Sequence, residues 1–277
     1  MKKTLYVSDL DGTLLNKSAR TSDFTNRTIN GLVSRGMVFS YATARSFYSS
    51  SKVAAGLNAA FPVILYNGAI MLDNATGARL LTNFFRPEEI DDVRCRLTDA
   101  DVYPIVYAFV DGRERFSVWP EATSPGVLNF CETRKGDVRT RIVHSEDELS
   151  AGEIFYFTCI GDGLSPLYDA MKDAYHCVSQ IDLYDRLPWL EIMPLTATKA
   201  HAALQLKAHL GCDRIVAFGD GKNDVELFRI ADEAYAVANA APELKEIATA
   251  VIGSNEEDGV AKWLIEHAEE EFRCITR

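Results

Sequence analysis

The sequence has no cluster of basic residues, and its 29 Lys plus Arg stand against 40 Asp plus Glu, a net charge of −11. Duplex affinity rests largely on phosphate neutralisation by Lys and Arg, so this balance excludes a nucleic-acid partner. No stretch approaches the roughly 18 apolar residues of a membrane-spanning helix, and the apolar start meets Asp9 before it reaches the length of a signal segment. No membrane role is expected. The six cysteines, Cys95, Cys131, Cys159, Cys177, Cys212 and Cys274, form no C-x-x-C pair and no Cys/His grouping at zinc spacing. They read as reduced thiols of a cytoplasmic protein. Internal repeats and low-complexity segments are absent too. What remains is an ordinary globular chain of 277 residues, 47% hydrophobic and 25% charged, long enough for one large domain or two modest ones.

At both ends of the chain, short apolar runs that stop at polar turns alternate with helical patterns, the rhythm of a parallel sheet covered by helices. Leu5-Tyr6-Val7 ends at Asp9, Met37-Val38-Phe39 runs toward Thr43, and Val63-Ile64-Leu65 runs into Asn67-Gly68. Later, Ile215 to Phe218 runs into Gly219-Asp220, Ala234 to Val237 into Asn239, and Ala250 to Ile252 into Gly253. In open α/β sheets ligands bind beyond the carboxyl ends of the strands, where these polar residues fall.

The middle reads differently. Pro87 opens a helix with Glu88, Glu89, Asp91 and Asp92 near its positive end. Two strand candidates, Val106 to Val110 and Arg115 to Trp119, flank the hairpin signal Asp111-Gly112. Ser145 to Glu148 has the spacing of a capping box, and further strands are expected at Ile154 to Ile160, Cys177 to Leu183 and Trp189 to Met193. The expected fold is therefore a doubly wound α/β core, residues 1–83 and 189–277, carrying an inserted α+β domain at 84–188.

Two acidic groups carry the chemistry. In Asp9-Leu10-Asp11-Gly12-Thr13-Leu14-Leu15, two carboxylates spaced by two leave a strand end together; one can attack a substrate while the other exchanges a proton. A calcium loop starting at Asp9 would need Gly at its sixth position and Glu at its twelfth, where this chain has Leu14 and Arg20. In Gly219-Asp220-Gly221-Lys222-Asn223-Asp224, Asp220 and Asp224 offer hard oxygen ligands that, with Asp9, suit Mg²⁺. Taken singly, Thr43 fits a cap or a strand position and Lys199 a solvated helix face.

These residues, taken with Ala42-Thr43-Ala44-Arg45 and Thr198-Lys199-Ala200, resemble in order the four motifs of the haloacid dehalogenase superfamily, and within it the Cof-type phosphatases of subfamily IIB. Asn67-Gly68-Ala69, Ala238-Asn239-Ala240 and Asn255 to Ala261 add to the likeness. The resemblance implies a Rossmann-like core with an α/β cap over the active site and a Mg²⁺-dependent phosphomonoester hydrolase. Asp9 would be the nucleophile and Asp11 the acid and base. Mg²⁺ would be held by Asp9, the Asp11 carbonyl and Asp220, with Asp224 supporting it through water or through Lys199. Thr43, the backbone N–H groups of Leu10 and Ala44, Lys199 and Asn223 would bind the phosphoryl group. Ala44 stands where the family often has Gly, so a positive φ there would cost on the order of 1 kcal/mol.

A cap that closes over the site admits small phosphorylated metabolites, with sugar phosphates ranked first and phosphorylated cofactors behind. Arg115, Trp119, Asp185 and Trp189 are the candidates for discriminating contacts, the two Trp being equally suited to the cap's core. Two rivals stand beside the hydrolase. One is a hexose phosphomutase, which would return the phosphoryl group to sugar; the other is a non-catalytic phosphometabolite-binding regulator, which predicts a lost Asp9, Asp11, Lys199 or Asp220. All four are present. The sequence does not decide between monomer and dimer.

Overall fold

The structure, a computed structural model, describes residues 2–181 and 186–268. Asp185, Cys274 and the end of the strand expected to reach Leu183 lie outside the described residues. The chain divides into two units, one made of residues up to Thr82 and from Ala197 onward, the other of Asn83–Thr196.

In the first unit, the unbroken apolar run Leu5-Tyr6-Val7 within β1 (Thr4–Asp9) is the pattern of a strand covered on both faces, and all six residues of the strand are buried. On one side of it lie β12 (Arg214–Gly219), β13 (Glu233–Val237) and β14 (Ala250–Ile252); on the other, β2 (Val38–Ala42) and β3 (Pro62–Leu65). All of these pair in parallel. The sheet then continues antiparallel through β4 (Ile70–Asp73) and β5 (Arg79–Thr82), two strands with no counterpart among the sequence expectations. The reversal is made at Tyr66–Gly68, where Asn67 (φ 53°) and Gly68 (φ 109°) turn the chain. A Cβ on Gly68 would lie 2.3 Å from the Thr198 carbonyl oxygen, so only glycine fits there.

The helices of this unit are α1 (Asp23–Ser34), α2 (Phe47–Val53), α7 (Lys199–His209), α8 (Val225–Ile230), α9 (Pro242–Ile247) and α10 (Gly259–His267). Ser22 caps α1 by accepting from the Thr25 N–H, and Thr198 caps α7 by accepting from the His201 N–H. Small residues Ala200, Ala202 and Ala203 are buried along α7, which lets its first turn approach closely.

The second unit holds a sheet in the order β10 (His176–Ile181), β11 (Pro188–Met193), β9 (Glu153–Ile160), β6 (Ile105–Val110), β7 (Arg113–Val118), β8 (Thr140–Ile142). Its helices are α3 (Pro87–Asp99), α4 (Pro125–Thr133), α5 (Glu146–Leu149) and α6 (Ser165–Met171). The expected hairpin turns at Asp111 (φ 51°) and Gly112 (φ 71°), the paired positive φ of a tight two-residue connection. Ser145 caps α5, but Glu148 returns its hydrogen bond to the His144 N–H. Val93 and Leu97 of α3 and Leu167 and Met171 of α6 share a core with Val106, Ala108, Phe157, Leu190 and Ile192 of the strands. Trp119 packs at the edge of that core, and Trp189 meets the ring of Phe130 at 5.8 Å.

β11 pairs antiparallel with both β10 and β9, so it belongs to this second sheet. The return to the first unit therefore comes at Ala197, not at the expected 189. A strand's partners, which decide its unit, are not written in its own composition. Among the described residues no helix is long and apolar enough to cross a membrane, and Cys95, Cys131, Cys159, Cys177 and Cys212 are free thiols.

Candidate active site

Register builds the site. Asp9 ends β1 opposite Ala42 of β2, and Ser8 pairs with Phe218 of β12. Because the three strands are parallel, Asp9, Thr43 and Asp220 leave the sheet side by side. The first turn of α7 brings Lys199 to the same place, only 2% exposed. Its ammonium donates to Asp9 Oδ1 at 2.5 Å and to Asp224 Oδ1 at 2.7 Å. Lys199 is thus a buried cation between two carboxylates, not a solvated helix residue.

Asp224 is fully buried, on a 3-10 turn (Lys222–Asp224), and its Oδ2 accepts the N–H groups of Asp220 and Gly221 at 3.1 Å each. It holds both Lys199 and the Asp220 loop. Asp220 receives the Thr13 hydroxyl at 3.4 Å. Gly12, at φ 76°, lies directly against this carboxylate: a Cβ there would come within 2.2 Å of Asp220 Oδ2. Asn223 is exposed on the same turn, Leu10 is buried at the end of β1, and Ala44 is exposed beyond Thr43. Ala44 does not take a positive φ, so the alanine in the usual glycine position carries no backbone strain.

Burial pushes the Asp9 carboxyl well above its ordinary range; Lys199 pulls it back, while Asp224 and Asp220 push it further. Burial and then Asp224 raise Asp220 to about 6. For Lys199, burial works against the charge, but Asp224 and Asp9 outweigh it and hold the amine above the ordinary lysine value. Three carboxylates around one ammonium leave surplus negative charge in a largely dry site.

That surplus tests whether a divalent cation fits. Ligand atoms of Asp9, Asp220 and Asp224 lie within 4.8 Å of one another, and Asp9 Oδ2 is buried with no hydrogen-bond partner. An orphaned carboxylate oxygen costs on the order of 1–3 kcal/mol, and a hard cation would satisfy it while cancelling the excess charge. The residues fit such an ion. Asp11 stands outside this group by its side chain, which Arg45 grips through Nη2 to Oδ1 at 2.6 Å and Nε to Oδ2 at 2.8 Å. Thr43 Oγ1 lies 3.5 Å from Asp11 Oδ2 and accepts the Arg45 N–H.

The structure thus gathers Asp9, Asp11, Thr43, Lys199, Asp220 and Asp224, with Leu10, Ala44 and Asn223 on the adjoining turns. Sequence reasoning gave no role to Arg45, Thr13 or Asn239. Arg45 was detectable as a cation two residues beyond Thr43 on the same strand-end loop.

A family model described as haloacid dehalogenase-like hydrolase matches residues 6–264. A 5-amino-6-(5-phospho-D-ribitylamino)uracil phosphatase of Bacillus subtilis is 27% identical, with 92% of this chain and 95% of that protein covered. An HMP-PP phosphatase of Serratia proteamaculans is 26% identical over 94% of this chain and 93% of its own. A crystal structure from Thermotoga maritima superposes with a TM-score of 0.74 at 26% identity, covering 96% of this chain and 97% of the other.

Proposed function

Since the chain belongs to the haloacid dehalogenase-like hydrolase family, with relatives named as phosphatases, we propose that it is a Mg²⁺-dependent hydrolase of small phosphomonoesters, with sugar and sugar-alcohol phosphates first among its substrates. The observation that carries this reading is the buried Asp9, one oxygen held by Lys199 and the other without a partner, beside Asp220.

Asp9 is the nucleophile. Its carboxylate attacks phosphorus, the ester oxygen departs with a proton from Asp11, whose carboxyl must leave its bidentate pair with Arg45 to carry one, and an aspartyl-phosphate remains. Asp11 then takes a proton from the water that hydrolyses this intermediate. Lys199 lies against the attacking carboxylate and supplies fixed positive charge to the phosphoryl oxygens. Asp224 acts through Lys199, whose ammonium it anchors, more than as a direct ligand, since both of its oxygens already accept hydrogen bonds. Thr43, the N–H groups of Leu10 and Ala44, and Asn223 complete the phosphoryl cradle. Asp9, the Asp11 carbonyl and Asp220 would hold Mg²⁺, which when bound shields the carboxylate from the phosphate charge.

The second unit serves as the cap that selects the substrate. The phosphoribityl group in the name of the Bacillus subtilis relative's substrate directs the choice of esters toward phosphorylated polyols. The free thiols and the lack of any basic cluster suit a cytoplasmic enzyme of small metabolites. The test is phosphate release from a panel of sugar, polyol and cofactor phosphomonoesters, with Mg²⁺ and with EDTA. Metal-dependent release from polyol or sugar phosphates supports the proposal; silence toward the whole panel contradicts it.

A further inference from the structure

The two acidic loops come from opposite ends of the chain; β1 and β12 are paired up to Ser8 and Phe218, and past that point Thr13 alone among the loop side chains described above bridges them. The loop after β13 touches both. Asn239 Nδ2 donates to the Gly12 carbonyl at 2.7 Å, and two residues on the Ala241 N–H donates to the Asp220 carbonyl at 2.8 Å. The orientation of the Asn239 amide is itself set. The Asn255 N–H donates to Asn239 Oδ1 at 3.1 Å, which leaves the amide NH₂ facing Gly12. Asn255 also reaches the same turn directly, through Nδ2 to the Leu15 carbonyl at 2.8 Å. The turn closes on itself when the N–H groups of Leu14 and Leu15 both donate to the Leu10 carbonyl. The Gly12 carbonyl lies one residue beyond Asp11 on this turn, so holding it restricts the backbone from which the Asp11 side chain projects.

We propose that Asn239 is a positioning residue for Asp11: by holding the Gly12 carbonyl from the loop that also holds Asp220, it keeps the acid and base at its working distance from the nucleophile. Asn255 acts behind it, by fixing the amide's orientation. The inference rests on the phosphatase reading given above. Asn239 is exposed and bonds the turn through its amide, so its replacement should change the thermal midpoint little. Its effect should concentrate in the step that needs a proton from Asp11.

The nearly isosteric Asn239→Asp variant replaces the donor to Gly12 with an acceptor, and Asn255→Ala removes the side-chain bond to the Leu15 carbonyl of the same turn while keeping the backbone N–H that orients the Asn239 amide. Wild type and both variants are compared in kcat/KM for an alkyl phosphate and for p-nitrophenyl phosphate, with thermal melting as a check on folding. An alkoxide must be protonated as it leaves, whereas p-nitrophenolate is a weak base that departs without help. Asn239→Asp should lower kcat/KM for the alkyl ester about tenfold more than for the aryl ester, with Asn255→Ala shifting the ratio the same way by less. Equal losses on both esters, or no loss, in an active enzyme would overturn the positioning role alone. A wild type inactive on every ester would overturn the phosphatase reading and this inference with it.

Discussion

Lys199→Met removes the one cation from the buried group while keeping the length of the side chain. Its side chain is 1% exposed, and those of its partners Asp9 and Asp224 are 6% and 0%. The variant leaves both carboxylates facing each other in a dry site, with Asp220 adjacent. Breaking a buried pair in this way costs about 3–5 kcal/mol. For a unit of this size that corresponds to a fall of roughly 6–20 °C in Tm. The loss should depend on pH. Asp9 and Asp220 are already shifted upward, and without Lys199 their folded-state values rise further above the unfolded ones. The folded variant then binds more protons than the unfolded chain, so its stability increases as pH falls from 8 toward 5, by up to about 1.4 kcal/mol per pH unit for each group titrating. Thermal unfolding followed by circular dichroism in EDTA, at pH 8 and pH 5, measures this. A loss below about 1 kcal/mol at pH 8, the size for a solvated surface pair, or a loss unchanged at pH 5, would refute the argument.

Two further outcomes are expected. Glu191 on β11 is buried, and burial pushes its carboxyl up to about 7, the Tyr156 hydroxyl only partly offsetting this. The folded state therefore holds a proton that the unfolded state releases near 4.5, so wild type loses about 3 kcal/mol as pH rises from 4.5 through 7. Glu191→Gln should match wild type at pH 5 and exceed it by about 2–3 kcal/mol at pH 8 in urea unfolding; parallel pH profiles for the two proteins would contradict this. Gly12→Ala should cost about 1 kcal/mol from its positive φ and, by forcing the Asp220 carboxylate aside, lower phosphate release more than tenfold at unchanged secondary structure. Retained turnover would show that the Asp220 position is not critical.

The core strands and both acidic turns were legible because each is a local pattern, an apolar run ending in a polar turn. The antiparallel strands β4 and β5 were not: Asn67 and Gly68 reverse the chain between β3 and β4, and a turn does not specify whether the next strand rejoins the same sheet. The boundary was read at 189 for a similar reason, since only pairing with β9 and β10 assigns β11 to the second unit. Lys199 taken singly suggests a solvated helix face. Its burial comes from the alanines beside it, which let α7 reach the carboxylates. Arg45 and Asn239 act across gaps of 34 and 227 residues, onto Asp11 and Gly12, and no local pattern carries such a partner.

The central claim is that Asp9 becomes covalently phosphorylated. The most direct measurement is mass spectrometry of the protein quenched in acid within milliseconds of mixing with Mg²⁺ and a turned-over phosphomonoester, followed by peptide mapping. The account predicts an added HPO₃ on the peptide containing Asp9 in wild type, and no such adduct in Asp9→Asn. A phosphoryl group on any other residue, or turnover by Asp9→Asn at the wild-type rate, would contradict it.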